Sequence, residues 1–440
     1  MSNNGIPSEL NHRIRAAWSW VPSLYFAEGI PLVIISAVSV IMYKNMGVSN
    51  EKIAFYTGWL YLPWVIKPLW GPLVDIFRTK RLWIILTQVL MGAGFACVAL
   101  CMPLPSYFIA TICVFWLMAF NSATHDIAAD GFYMLSLDEH GQAWFVGIRS
   151  TFYRLAVLSG QGLLVMLAGY IQTHGGSMAF SWCVSFFTLA ALFFLIAIYH
   201  FFILPRPSSD VPKHVPHSGA FAFLKDFFKI FLSFFTKKGI GPALAFLLFF
   251  RMGEAQLVKL AAPFLMDAQG KGGLALSTGQ IGLVYGTVGM IMLTLGGICG
   301  GFFAAKDGLK KWLWPMALAI NVPDIVYVYM AWALPDNFMI INLCVAFEQF
   351  GYGFGFTAYM LFMVYFAEGE YKTSHFAIMT GLMALGMMLP GMISGYIQSY
   401  MGYPLFFVWV LVSTVPGFIV LPFLKIDSEF GRKRTKQKGV

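Results

Sequence analysis

Apolar stretches of roughly 20 residues or more, the length that crosses a bilayer as a helix, recur along the whole chain. They lie near 18–43, 53–76, 82–102, 106–136, 142–171, 179–204, 240–266, 277–304, 312–334, 338–367, 373–401 and 404–424. In lipid every backbone polar group must be satisfied internally, so such a chain has little choice but to fold as a bundle of helices. The predicted fold class is an all-α integral membrane protein of about 12 transmembrane helices, arranged as two six-helix bundles. Composition agrees: 11% of the 440 residues are charged, against about 25% in ordinary soluble chains. The expected domains are an N-terminal bundle over 1–204, a cytoplasmic connection over 205–238, a C-terminal bundle over 239–424 and a basic cytoplasmic tail over 425–440.

The connection opens with prolines (Pro205, Pro207, Pro212, Pro216) and continues as Phe221–Phe235, FAFLKDFFKIFLSFF. That segment is too short to span. With Lys225 and Lys229 on it, it reads as an amphipathic helix in the membrane interface, in preference to a fraying start of the seventh span. With both termini cytoplasmic, 21 of the 29 lysines and arginines fall inside, as the positive-inside rule requires. The net charge of +9 is thereby assigned to topology and anionic lipid, and nucleic acid is excluded as a partner. The first span is too long for a signal-peptide core. The six cysteines fall in apolar spans without CxxC spacing and read as packing residues.

Two carboxylates, Asp126 and Asp130, sit in the middle of the fourth span, FWLMAFNSATHDIAADGFYML. An ionised acid at mid-membrane costs about 2.5–3.5 kcal/mol even on insertion scales, so its presence points to an ion, proton or substrate path. Glu28, Lys67, Arg154, Arg251, Glu254, Asp324 and Glu348 are expected at the same depth as Asp126. A layer of this kind lines an interior cavity, or else consists of ion pairs that join helices. Arg251 and Glu254, three apart, are expected to pair locally. Lys67 precedes Pro68, where a broken helix ladder is expected to free carbonyls. Arg154 has the fork that grips a carboxylate or phosphate. Asp126 is the favoured proton carrier by depth, with His125 either a relay or simply hydrogen-bonded. Asp75, Arg78, Asp130 and Arg149 are assigned to a cytoplasmic gate, and Lys259 to snorkelling. Tyr61, Trp64, Tyr153 and Tyr352 suit sugar faces, though plain packing explains each one singly. Gly351, Gly353 and Gly355 in the tenth span imply close packing or a rocking helix. There is no nucleotide loop, no metal-ligand spacing and no partnered nucleophile, so no cofactor, metal or enzymatic activity is expected.

Six helices, a long loop and six more resemble the plan of the major facilitator superfamily. The stretch Gly71-Pro-Leu-Val-Asp75-Ile-Phe-Arg78-Thr-Lys80-Arg81 resembles its loop motif between the second and third helices. More narrowly, the chain resembles the AmpG-like muropeptide permeases. The similarity rests on Lys67-Pro-Leu-Trp-Gly-Pro-Leu-Val-Asp75, Ser122-Ala-Thr-His-Asp126-Ile-Ala-Ala-Asp130, Tyr153-Arg154-Leu, Arg251-Met-Gly-Glu254-Ala, Phe347-Glu348-Gln349 and Phe376–Gly395. It departs at His125, where the family pattern has glutamine, and at the added Glu28 and Arg149. The resemblance implies proton-coupled import of anhydromuropeptides or related amino sugars across a bacterial inner membrane. The transporter would be a monomer that works by alternating access. Lys67, Arg154, Arg251, Glu28, Gln349 and Tyr352 would then bind substrate, and Asp126, Glu254 and Glu348 would couple protons. The alternative is an importer of other oligosaccharides released by glycan degradation.

Overall fold

The structure is a computed structural model. It describes residues 16–137, 139–211, 219–369, 371–428 and 430, and most side chains within them; that of Asp75 is outside the described set, as are Arg13, Arg15 and the basic tail beyond 430. All regular structure among these residues is helical.

The passes are α1 (Val21–Asn45), α2 (Asn50–Trp59 and Leu62–Ile76), α3 (Lys80–Cys101), α4 (Tyr107–Ser136), α5 (139–173) and α6 (Met178–Ile203). They continue as α7 (Ile240–Met266), α8 (Thr278–Asp307), α9 (Leu309–Ala333) and α10 (Phe338–Ala367). The last stretch, Ser374–Phe423, holds two passes, α11 (372–401) and α12 (403–423), because Gly402 leaves helical geometry at φ 72°. Only glycine takes that angle without strain, and Pro404 follows it. Among the described residues nine helices, or ten with the bent α7, are long and apolar enough to span; dividing the last at Gly402 and adding the interrupted α2 gives the twelve expected from sequence. Large apolar side chains face outward, Phe202 at 75% and Leu117 at 71% exposure. That is the surface of a protein solvated by lipid.

Helix starts follow local chemistry. Thr79 Oγ1 accepts from Leu82 N–H at the head of α3, Ser177 from Phe180 N–H at α6, and Ser277 with Gln280 forms a reciprocal capping box at α8. Asp210, from the connection, accepts from the Lys80 and Arg81 N–H groups at 2.7 and 3.0 Å. It places a negative charge at the positive end of α3. Arg81 in turn donates to the last carbonyls of α6, Phe201 O and Leu204 O. The loop motif thus ties α3 to α6.

By contact, the chain forms two compact units. Unit 1 holds residues up to Val38 and Leu69–Val215; unit 2 holds Ser39–Pro68 and everything from Pro216. The end of α1 and the first part of α2 group with unit 2 through buried polar contacts. Lys44 Nζ binds Asp267 Oδ2 at 2.6 Å, Asn50 Nδ2 donates to Gln398 Oε1 and Tyr403 Oη, and Tyr403 Oη donates to Asp267 Oδ2.

Within unit 2 the glycines of α10 settle as close packing. A Cβ on Gly353 would meet Leu293 O of α8, and one on Gly351 or Gly355 would meet Ala319 O or Met316 O of α9. The segment Gly219–Phe235 is a separate helix, and its stretch from Phe228 is bent 93° from α7; it is not the fraying start of that pass. Helix α2 continues through Pro68, which has no N–H to offer the ladder, and is also interrupted at Leu60–Tyr61, with Pro63 in the first turn of the second piece. Proline fits there without losing a hydrogen bond.

Candidate functional site

In unit 2, α7 and α9 lose regular geometry midway and, with α10, bring three acids together, while α8 is irregular nearer its start. Helix α7 breaks at Phe250–Arg251, where Arg251 has φ −110° and ψ 20°. Tyr359 Oη donates at 2.6 Å to Leu247 O, the carbonyl that an unbroken helix would pair with the Arg251 N–H. Glu254 lies in the first turn after the break. Helix α9 tightens to a 3₁₀ turn at Val322–Asp324 around Pro323, and the turn carries Asp324. Helix α8 widens to a π-helical stretch over Gly282–Gly289 that carries Tyr285. Such wide turns recur at functional sites. Glu348 comes from α10.

One oxygen each of Glu254, Asp324 and Glu348 lie within 4.8 Å of one another, and the residues are 0%, 1% and 1% exposed. Gln349 Nε2 donates to both Glu348 oxygens at 3.1 and 3.0 Å. Both oxygens of Glu254, both of Asp324 and the hydroxyls of Tyr285 and Tyr327 are buried with no hydrogen-bond partner among the described residues. Buried polar atoms nearly always find partners, so this group is exceptional. It has the donor set to hold a cation or protons. The sequence reading found no metal-ligand spacing; the triad is built from three distant segments, and no spacing could have shown it.

Arg251 does not pair with Glu254 as expected from their spacing. The helix break removes the i, i+3 relation. Arg251 instead donates to Tyr352 Oη and lies over the rings of Tyr352 and Phe356, 5.3 and 4.8 Å from their centroids. Lys259 does not snorkel either. It is 2% exposed, donates to Thr57 Oγ1 at 2.9 Å and lies over Tyr61. Lys67 is half-buried on α2.

Unit 1 holds a different arrangement. Gln88 Nε2 donates to His125 Nε2 at 3.0 Å, His200 Nδ1 donates to Gln88 Oε1 at 2.9 Å, and Ser23 Oγ meets His200 Nε2 at 2.9 Å. This buried chain joins α1, α3, α4 and α6, so His125 is hydrogen-bonded within the bundle. Nearby, Asp130 Oδ1 accepts from Arg149 at 2.5 Å and from Tyr25 Oη at 3.0 Å. The Arg149 guanidinium lies 4.2 and 4.8 Å from the ring centroids of Tyr25 and Tyr133. Glu28 interacts electrostatically with both Tyr25 and Arg149, which places it with this group. Asp126 and Arg154 are half-buried on α4 and α5. Arg78 is exposed in the loop after α2, at φ 69°.

Tyr285, Tyr327, Gln88 and His200 escaped the sequence reading, and Asp324 was placed in the layer without a role. Asp324 had a signal, a proline–acid pair in mid-span; the tyrosines had none in a chain that is 17% aromatic.

Known proteins resemble the chain over nearly its full length. A protein of Haemophilus influenzae described as uncharacterized is 27% identical over 414 residues, which cover 90% of this chain and 91% of that one. The anhydromuropeptide permease of Escherichia coli is 24% identical over 423 residues, 93% of this chain and 80% of its own. Among solved structures, a D-xylose–proton symporter superposes with a TM-score of 0.70 at 12% identity, covering 94% of this chain and 98% of that one. The model of the Major Facilitator Superfamily matches residues 23–374. With its helical architecture and mid-membrane charges, the chain belongs to the Major Facilitator Superfamily and is a multi-pass membrane transporter rather than an enzyme.

Proposed function

We propose that this transporter imports anhydromuropeptides or related amino sugars across a bacterial inner membrane, both termini being cytoplasmic, with protons as a coupling ion. The observation that carries the reading is the alignment with the Escherichia coli anhydromuropeptide permease across 93% of the chain. It takes in the segments that supply the mid-membrane charges. In this reading Arg251, held over Tyr352 and Phe356, is a cation set against aromatic faces. That surface suits a sugar ring bearing a carboxylate. Arg154 and Lys67 add charge for the lactyl or peptide carboxylates. Asp126 carries the proton, and Glu254 and Glu348 take part in ion coupling. Asp130 with Arg149, next to Glu28, belongs to the cytoplasmic gate as a pairing within unit 1.

The test is uptake of labelled anhydromuropeptide into proteoliposomes, with and without an inward proton gradient. Gradient-driven accumulation is the expected result. Absence of uptake by folded protein, with accumulation of an unmodified disaccharide instead, would replace the substrate class.

A further inference from the structure

The geometry points to a binding site for a hard monovalent cation of sodium's size in unit 2, held by Glu254, Asp324 and Glu348 with the hydroxyls of Tyr285 and Tyr327. Three observations carry it. First, the three carboxylates come from three separate helices and are fully buried, with one oxygen of each within 4.8 Å of the other two. A cation at their centre lies roughly 2.8 Å or less from each oxygen, near the about 2.3–2.6 Å that oxygen ligands keep to a calcium-sized ion. Second, six oxygens of four residues here have no hydrogen-bond partner among the described residues: two each on Glu254 and Asp324, and the hydroxyls of Tyr285 and Tyr327. Both tyrosines lie within electrostatic reach of all three acids, and Tyr327 is 0% exposed. A buried hydroxyl with no partner keeps its oxygen lone pairs available as ligands to a cation. Third, the donor set is all oxygen, which selects hard cations over zinc or copper.

Charge favours a monovalent ion. Against three carboxylates the neighbourhood supplies one cation, Arg251, which interacts with Glu254 while its hydrogen bond goes to Tyr352. An isolated buried charge is very costly and is neutralised either by a proton or by a bound cation, so a metal cation here competes with protons for the same oxygens. A divalent ion on three dry carboxylates would be held too tightly to exchange in each transport cycle. A monovalent ion neutralises part of the excess and can leave.

The inference rests on the transporter reading for its role as a coupling site, but not for its existence, so the test measures binding alone. Radioactive ²²Na⁺ is titrated onto the purified full-length protein in lipid nanodiscs. Saturable binding at one site per chain is expected, competed by Li⁺ and displaced poorly by K⁺. Asp324→Asn and Glu254→Gln should each weaken binding at least tenfold. Tyr327→Phe, which removes one oxygen and no charge, should weaken it several-fold. Glu368→Gln, in an exposed pair with Lys372, should leave it unchanged. If Asp324→Asn does not fold, Tyr327→Phe decides. Absence of saturable Na⁺ binding to folded protein overturns the proposal, as does wild-type affinity in the folded triad variants. If Na⁺ binds but no anhydromuropeptide is accumulated, the substrate reading falls and the cation site stands. Proton-driven uptake by a protein that binds no Na⁺ gives the reverse.

Discussion

Both units bury polar side chains in mid-membrane, but they treat them in opposite ways. In unit 1 the chain Ser23–His200–Gln88–His125 is closed: every link has a partner, and neutral imidazoles with a hydroxyl and an amide supply all the donors and acceptors it needs. In unit 2 the group Glu254–Asp324–Glu348 is open: it gathers like charges and leaves oxygens unmet. A satisfied buried network rigidifies and specifies packing. An unsatisfied one costs free energy until something binds. The difference marks the first as architecture and the second as a place where a ligand or ion acts. It also predicts which substitutions harm folding and which harm transport.

The sharpest way to break that contrast is Asp324→Asn. If the open group exists for function, this variant should lose transport by more than a hundredfold. Its thermal stability in sodium-free buffer should stay level or rise by about 1–2 kcal/mol, since replacing buried charge is often stabilising. Uptake and unfolding measured on the same preparation check both halves. A variant that unfolds early yet transports normally per folded molecule would assign the acids to structure.

A comparable loss is expected for Asp126→Asn, with a different signature. Gradient-driven accumulation should vanish while exchange of labelled for unlabelled substrate persists. Loss of exchange as well would make Asp126 a substrate ligand rather than a proton carrier.

Gln88→Ala is the mirror experiment. It strands both imidazoles in a dry bundle. Hydrogen bonds between membrane helices are worth about 0.6–1.7 kcal/mol each, and the unmet groups add to the cost. A loss of about 2–3 kcal/mol in unfolding free energy is expected, with transport per folded molecule within a few-fold of wild type. Unchanged stability would show that the chain is not a structural clasp.

What was legible in advance follows the same divide. The passes could be placed because hydropathy acts locally and lipid forbids other backbone structures. Acids and bases in apolar spans stood out singly, so Asp126, Arg251, Glu254 and Glu348 were all found. Their pairings were not, because these depend on helix irregularities that the pattern hides. The break at Phe250–Arg251 turns Arg251 toward Tyr352 and away from Glu254. The tight turn at Pro323 carries Asp324 to the other acids. The closed network of unit 1 was hidden for another reason: glutamine and histidine in an apolar span are chemically ambiguous until their partners are known.

A smaller effect is expected at the Asp130–Arg149 pair, which lies between the two extremes: paired, yet partly exposed at 39% and 27% of the side chains. Arg149→Lys keeps the charge but loses the planar contact with Tyr25 and Tyr133. The expected cost is about 1 kcal/mol, with a clearer change in the rate of conformational cycling than in stability.

The smallest effect belongs to the pair Lys372–Glu368, 2.7 Å apart but 51% and 67% exposed. Its removal by Lys372→Ala should shift stability by no more than about 0.5 kcal/mol and leave uptake unchanged. The two residues carry the same pair of opposite charges as Arg149 and Asp130, or Arg251 and Glu254. Water supplies what the partner loses, so neither charge depends on the other. If this surface variant proved as damaging as Asp324→Asn, burial would not be what separates a functional charge from an ordinary one here, and the contrast between the two units would have to be rebuilt on contacts alone.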